Sequence, residues 1–273
     1  MPELATVAQA LAHAQLIGVD RLDAQLLLAQ QIGRPRVWLL AHDEAPVLDG
    51  PALLALLGRR AAGEPLAYLL GKREFYGLLL HVTPDVLVPR PDTECLVDWA
   101  LQLIPGSPTP YVVDLGTGSG AIALALKHAC PRAQVHATDV SPAALAVARG
   151  NGERLALPVT WQLGDWWQAL DPTLRFDLAA VNPPYIAPDD PHLAALRHEP
   201  VSALVSPGHG LACTERVIAG ARERLNPGGW IVLEHGFDQA DDVAKLLCRA
   251  GFEAICTRRD LSGHRRVSAG RSS

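Results

Sequence analysis

The sequence predicts an α/β protein: a mainly parallel sheet covered by helices on both faces, preceded by a small helical domain. Three observations predict it. From Tyr111 onward, strand-like and helix-like segments alternate, the pattern of parallel strands joined by covering helices. Residues 1–71 show helical spacing with no β-like alternation. Between them, "KREFYGLLLHVTPDVLV" (72–88) gathers aromatic and β-branched residues around Gly77 and carries a Thr-Pro-Asp turn signal, which reads as a hairpin connector. The boundaries expected are therefore 1–71, 72–88 and 89–273.

In the first segment Thr6 is placed to cap a helix ending near Gly18 and Asp20 one ending at Gly33, while Pro51 opens "PALLALLGRRAAG". The third segment opens with a helix from about Asp92. Its strands are "YVVDL", "QVHATD", "VTWQL", "FDLAAVN", "WIVLEHG", "FEAICTRR" and "RRVSAG", with helices from about Gly120, from Ser141, before Leu225 and from about Asp238. In such sheets ligands sit at the carboxyl ends of the strands.

The chain has 273 residues, 49% of them hydrophobic, enough for one large domain and a small companion. Its net charge of −5 argues against broad binding to a phosphate backbone, so no stable nucleic-acid partner is expected. The five cysteines are scattered without Cys-x-x-Cys spacing, which fits a reducing cytoplasm and no metal site. The first fifteen residues carry Glu3 rather than a basic cluster and lack a long apolar run, so neither an export signal nor a membrane span is expected.

The chemistry concentrates at strand ends. "VVDLGTGSGAIALAL" sets Gly116, Gly118 and Gly120 between a strand and a helix, where missing side chains let a ligand lie on the backbone; the loop includes Thr117 and Ser119. The spacing G-x-G-x-G departs from the dinucleotide fingerprint, which would need its last glycine at Ala121, and Asp114 just ahead suits a ligand carrying an amine. A tight strand-to-helix turn needs glycines too. Asp139 ends the next strand, where an acid can accept both ribose hydroxyls or simply make a turn, and Ser141 is placed as a helix cap. Asp165 and Trp166 follow the third strand and could hold an adenine by hydrogen bond and stacking, or form a capped turn with one buried indole.

The fourth strand ends in Asn182-Pro183-Pro184-Tyr185. Two successive prolines donate no hydrogen bond and hold the segment extended and stiff. Taken together, the three preceding strand ends resemble the class I S-adenosylmethionine-dependent methyltransferases, a Rossmann-like fold with a mostly parallel seven-stranded sheet. NPPY resembles the motif of those members whose target is a planar nitrogen. The resemblance implies that the Asn182 side-chain oxygen and the Pro183 carbonyl accept the two N–H groups of the target, that the prolines hold these acceptors still, and that Tyr185 packs on the flat face of the target.

"GEPLAYLLGKREFYGL", "VLVPRPDTECLVDWAL", "NPPYIAPDDPHL" and "LEHGFDQ" extend the likeness over almost the whole chain to the HemK/PrmC family of release factor glutamine methyltransferases. That family implies methylation of the glutamine amide in the Gly-Gly-Gln loop of class 1 peptide chain release factors, with S-adenosylmethionine as donor. By motif, Gly116 to Gly120, Asp139, Trp166 and Asn182 would touch the donor, Asn182 to Tyr185 would form the glutamine site, and residues 1–71 would dock the protein substrate. Arg90, between two prolines, would belong to a lid segment, or is a surface arginine before a capped helix; Glu74 and Phe75 are lid candidates or ordinary hairpin residues. Asp92 and the tail "RDLSGHRRVSAG" depart from the family pattern. His235 and His264 read as structural histidines. Two other readings use the same motif: a nucleic-acid N-methyltransferase acting on an exocyclic amine, and a donor-binding partner without catalysis.

Overall fold

A computed structural model describes residues 4–104 and 106–273. Glu3, used above in reading the amino terminus, lies outside them. The chain divides into two compact units, Met1–Lys72 and Arg73–Ser273.

The first unit is helical: α1 (Val7–Leu16), α2 (Arg21–Ile32), α3 (Arg36–Leu39), α4 (Gly50–Ala61) and α5 (Leu66–Leu70). Its ends follow from side-chain caps. Thr6 accepts from Gln9 N, Asp20 from Leu22 N and Asp49 from Ala52 N, each satisfying an amide that a helix start leaves unpaired. Gly33 closes α2 in the left-handed conformation. Leu27, Leu28, Leu53 and Leu57 form the centre of a core belonging to this unit.

A hairpin, β1 (Lys72–Phe75) and β2 (Leu78–His81), comes next. Tyr76 and Gly77 both have positive φ, 52° and 75°, the geometry whose twist matches a two-residue hairpin. The strands stop at His81, and Thr83 and Asp85 make a turn into an extended stretch instead of prolonging the hairpin to residue 88.

A 3-10 turn (Pro91–Thr93) then leads into α6 (Glu94–Leu103) and the alternating part: β3 (Tyr111–Leu115), α7 (Ala121–Ala129), β4 (Gln134–Asp139), α8 (Pro142–Leu155), β5 (Thr160–Leu163), β6 (Phe176–Val181), α9 (Ala212–Ala221), β7 (Leu225–Glu234), α10 (Ala240–Arg249), β8 (Glu253–Arg259) and β9 (Arg265–Arg271). The strand order is β5-β4-β3-β6-β7-β9-β8, parallel from β5 to β7, with antiparallel pairing at β7–β9 and β9–β8. Alternate residues of β6 serve opposite cores: Leu178 and Ala180 join the core with α6 and α7, whereas Ala179 and Val181 join the one with α9 and α10. Burial on both faces explains why β3 and β6 read as near-continuous apolar runs.

The chain moves outward from β3 to β5 on one side and from β6 to β7 on the other. The crevice therefore opens between β3 and β6, where Leu115 pairs with Val181. Gly116 and Asn182, the next residue of each strand, leave the sheet at this point.

Candidate active site

The loop after β3 is laced to the end of β4. Gly116 N and Thr117 N both donate to Thr138 O at 2.9 Å, and Gly118 N donates to Asp139 Oδ2 at 2.9 Å. Asp139 Oδ1 accepts from Ser141 N at 2.9 Å, and Ser141 Oγ caps α8. Burial pushes the Asp139 carboxyl up, and these backbone amides oppose the shift.

The three glycines have different reasons. A Cβ on Gly116 would lie 2.9 Å from the Trp166 ring, and one on Gly120 would lie 3.1 Å from Trp161 and Leu124. Those two permit close packing. A Cβ on Gly118, at φ +55°, would meet nothing within 4 Å, because this glycine faces an open cavity. Trp166 itself has φ 47°, a left-handed conformation uncommon for a bulky residue, and its ring covers Gly116.

That cavity, of about 300 Å³, is lined by Gly116, Gly118, Asp139, Asp165, Trp166, Asn182 and Pro184, together with Asp85 to Leu87 of the extended stretch. A second, of about 330 Å³, is lined by Arg90, Tyr185, Ile186, Leu196 and Glu199 among others. Leu87, Asn182 and Ala203 line both. The four residues NPPY thus divide: Asn182 faces both cavities, Pro184 the first and Tyr185 the second, while Pro183 is buried beneath.

Asp114, near the end of β3, and Thr117, Ser119 and Gly120 of the loop are buried and do not line the first cavity. Asp114 is fully buried; its Oδ2 accepts from Thr117 Oγ1 at 2.6 Å and Ala123 N at 3.1 Å, and its Oδ1 has no hydrogen-bond partner. Burial pushes this carboxyl up to about 7. Ser119 presents its carbonyl to Asn151 Nδ2 at 2.8 Å, and the same amide group bonds His81 N and O, tying β2 to the loop. Asp165 accepts from Arg216, an exposed ion pair of small energetic weight. The buried indole belongs to Trp167, whose Nε1 donates to Val217 O at 2.8 Å.

Arg90 lines the second cavity rather than the first, and its guanidinium pairs with the buried Glu199, which also accepts from Val88 N at 3.1 Å. Tyr185 donates to Glu234 Oε1 at 3.2 Å, and its carbonyl accepts from Gln239 Nε2 at 2.9 Å. Burial first, and the Glu234 charge second, hold the phenol well above its usual range, so it keeps its proton.

Glu74 and Phe75 are hairpin residues: Glu74 Oε1 takes Gly77 N at 2.7 Å, and Phe75 is in the core. His235 is buried with both ring nitrogens bonded, Nδ1 to Gly236 O and Nε2 to Ser268 Oγ. His264 lies on the β8–β9 turn beside Phe237. Among the described residues no group of three His, Cys, Asp or Glu could hold a metal ion, and no helix is long and apolar enough to cross a membrane. Sequence reasoning passed over Asp85, Glu199 and Ala203, which come from turns and loops without periodic pattern, and Arg216, a polar residue of α9. An acid before proline in the otherwise apolar "HEPVSALV" was the available signal for Glu199.

The sequence matches the family described as methyltransferase small domain over residues 98–248 and that described as PrmC N-terminal domain over residues 4–71. The release factor glutamine methyltransferase of Bordetella pertussis is 52% identical over 93% of this chain and 95% of its own length. That of Burkholderia pseudomallei is 48% identical over 99% and 97%. The crystal structure of a methyltransferase from Pyrococcus furiosus shares the fold, with a TM-score of 0.57 at 18% identity over 79% of this chain and 97% of that one. On this similarity along nearly its full length, the chain belongs to the release factor glutamine methyltransferase family.

Proposed function

We propose that this chain transfers a methyl group from S-adenosylmethionine to the side-chain amide nitrogen of the glutamine in the Gly-Gly-Gln loop of class 1 release factors. One observation carries the reading: Asn182 lines both cavities, so a donor in one and an amide in the other would meet at this residue.

Gly116, Gly118, Asp139, Asp165 and Trp166 would hold the donor. The open space over Gly118, which a side chain would fill, and the carboxylate of Asp139 fit a ligand with a polar, hydroxyl-bearing portion. When bound, the donor supplies an electrophilic methyl on a sulfonium. The chain's own residues treat the acceptor. An amide nitrogen attacks poorly because its lone pair is delocalised; Asn182 Oδ1, whose residue lines both cavities, accepts one N–H, orients it and favours the pyramidal, electron-rich form, and we assign the second acceptor to the carbonyl of the adjoining Pro183, a residue that itself lines neither cavity. Those N–H bonds would acidify only as the new C–N bond forms at the expense of the donor's S–CH₃ bond, and one proton would then pass to solvent, so no side-chain base is assigned. Tyr185, kept protonated, serves as a wall.

The second cavity suits an amide-bearing side chain: it is lined by Leu87, Ile186, Leu196 and Leu204, with the Arg90–Glu199 pair beside them. We assign residues 1–71 to docking the folded protein substrate, and we place the enzyme in the cytoplasm, a reading supported by five free cysteines. Mass spectrometry of a Gly-Gly-Gln release-factor peptide, incubated with the chain and labelled donor, is expected to find one methyl on the glutamine. No label on the peptide, or faster labelling of a nucleic acid, refutes the assignment.

A further inference from the structure

Two buried residues next to NPPY have no role so far. Glu234, at the carboxyl end of β7 and 1% exposed, accepts Thr93 Oγ1 on Oε2 at 2.6 Å and the Tyr185 hydroxyl on Oε1 at 3.2 Å. Thr93, the last residue of the 3-10 turn before α6, faces Asn182 Nδ2 across 3.3 Å.

The heavy atoms of an amide do not tell its oxygen from its nitrogen, but the supply of protons does. An ionised carboxylate only accepts, so Thr93 must direct its single hydroxyl proton at Glu234. The Thr93 oxygen is then an acceptor toward Asn182, and only Nδ2 can satisfy it. The amide nitrogen is the end of Asn182 engaged within the chain, and Oδ1 is left for the cavities that this residue lines.

We propose that Glu234 and Thr93 are positioning residues: acting in series, they set the Asn182 amide with its oxygen, not its nitrogen, toward the target NH₂ group. This rests on the role given to Asn182 above. With the amide turned over, two N–H donors would face each other and the acceptor for the target would be lost. The same carboxylate fixes the Tyr185 ring, so one buried charge orders two of the four motif residues.

The arrangement requires Glu234 to be ionised. Burial raises its carboxyl and Asp92 adds to that, while the Thr93 and Tyr185 hydroxyls and the Arg266 guanidinium oppose the rise. A protonated Glu234 could donate to Thr93, whose own proton would then turn to Asn182 and favour the wrong amide orientation.

The test uses the full-length chain, S-adenosylmethionine and a Gly-Gly-Gln peptide. Thr93→Val keeps the shape and removes the hydroxyl. It is expected to lower kcat about five- to tenfold, the value of one hydrogen bond, with donor affinity by calorimetry within about twofold. Thr93→Ser is expected to restore most of the rate. Asn182→Ala is the reference, with an expected loss of about 10²–10³-fold, as for one oriented contact elsewhere. Full activity of Thr93→Val beside a crippled Asn182→Ala overturns the relay alone. Near-normal Asn182→Ala overturns the reading of the site beneath it. If Thr93→Val does not fold, the pH profile decides: kcat should fall at acid pH in the wild type, and Glu234→Gln should lack that limb. An unchanged acid limb in Glu234→Gln overturns the proposal.

Discussion

Replacing Asp114 by Asn should change how stability depends on pH, with a size set by the burial of this one group. Its carboxyl is fully buried on β3 and raised from 3.8 to about 7, with burial the largest cause. The shift of about 3 pH units corresponds to about 4 kcal/mol at about 1.36 kcal/mol per unit, an upper figure because buried sites relax. The folded chain holds this proton more tightly than the unfolded one. Its contribution is therefore fully present below about pH 4 and is lost as pH rises toward 7, where the carboxylate must ionise with one oxygen unpartnered. Asparagine cannot ionise, so the variant lacks this loss. Urea unfolding of both proteins at about pH 4.5 and about pH 8 reads the difference. Whatever constant offset the substitution brings, the stability of Asp114→Asn relative to wild type should improve by up to about 3 kcal/mol between those conditions, the first part of the loss having occurred below about pH 4.5. The lowered carboxyls of Asp171, Asp190, Asp241 and Asp260 act in the opposite sense, at more acid pH, and are common to both proteins. Parallel stability curves would show that Asp114 is not held in a protonation state different from that of the unfolded chain.

Gly118→Asp should abolish donor binding measured by calorimetry in a folded variant, since the new carboxylate would project into the open cavity at a backbone φ of +55°. Unchanged affinity would remove the loop from the account. A chain beginning at Lys72 should bind donor normally if folded, methylate intact release factor far more slowly, and lose less on a short Gly-Gly-Gln peptide. Equal losses on the two substrates would make the helical unit a support for the fold and not a docking surface.

The central strands β3 and β6 were readable because burial on both faces leaves near-continuous apolar runs, and the polar residues at or just past the strand ends stand out: Asp139 closes β4, Asp165 follows β5 and Asn182 follows β6. The glycine loop was readable as a loop but not glycine by glycine. Gly118 faces the cavity whereas Gly120 packs on Trp161, and that difference depends on residues some 40 positions away. Asp114 was grouped with the ligand contacts from its place in the motif, yet it is covered by Thr117 and Ala123, which only the turn of the loop reveals. Arg90 and Glu199 are 109 positions apart, and an ion pair between loops leaves no periodic trace in either segment. The same holds for Thr93 and Glu234, separated by 141 positions. Pairings set by tertiary packing alone are invisible to local pattern, and the second cavity is built largely from them.

The two cavities that share Asn182, Leu87 and Ala203 have a consequence for ligand design. A single molecule spanning both, with a donor-like half covalently joined past Asn182 to an amide-like half, would hold its second half at a high effective concentration once the first was seated. Such a bridged compound would gain affinity beyond either fragment without any new contact, provided that its linker passes the residues the two cavities share. Its selectivity would come from the join: proteins that bind the same donor but approach their acceptor from another direction would accommodate one half and exclude the other.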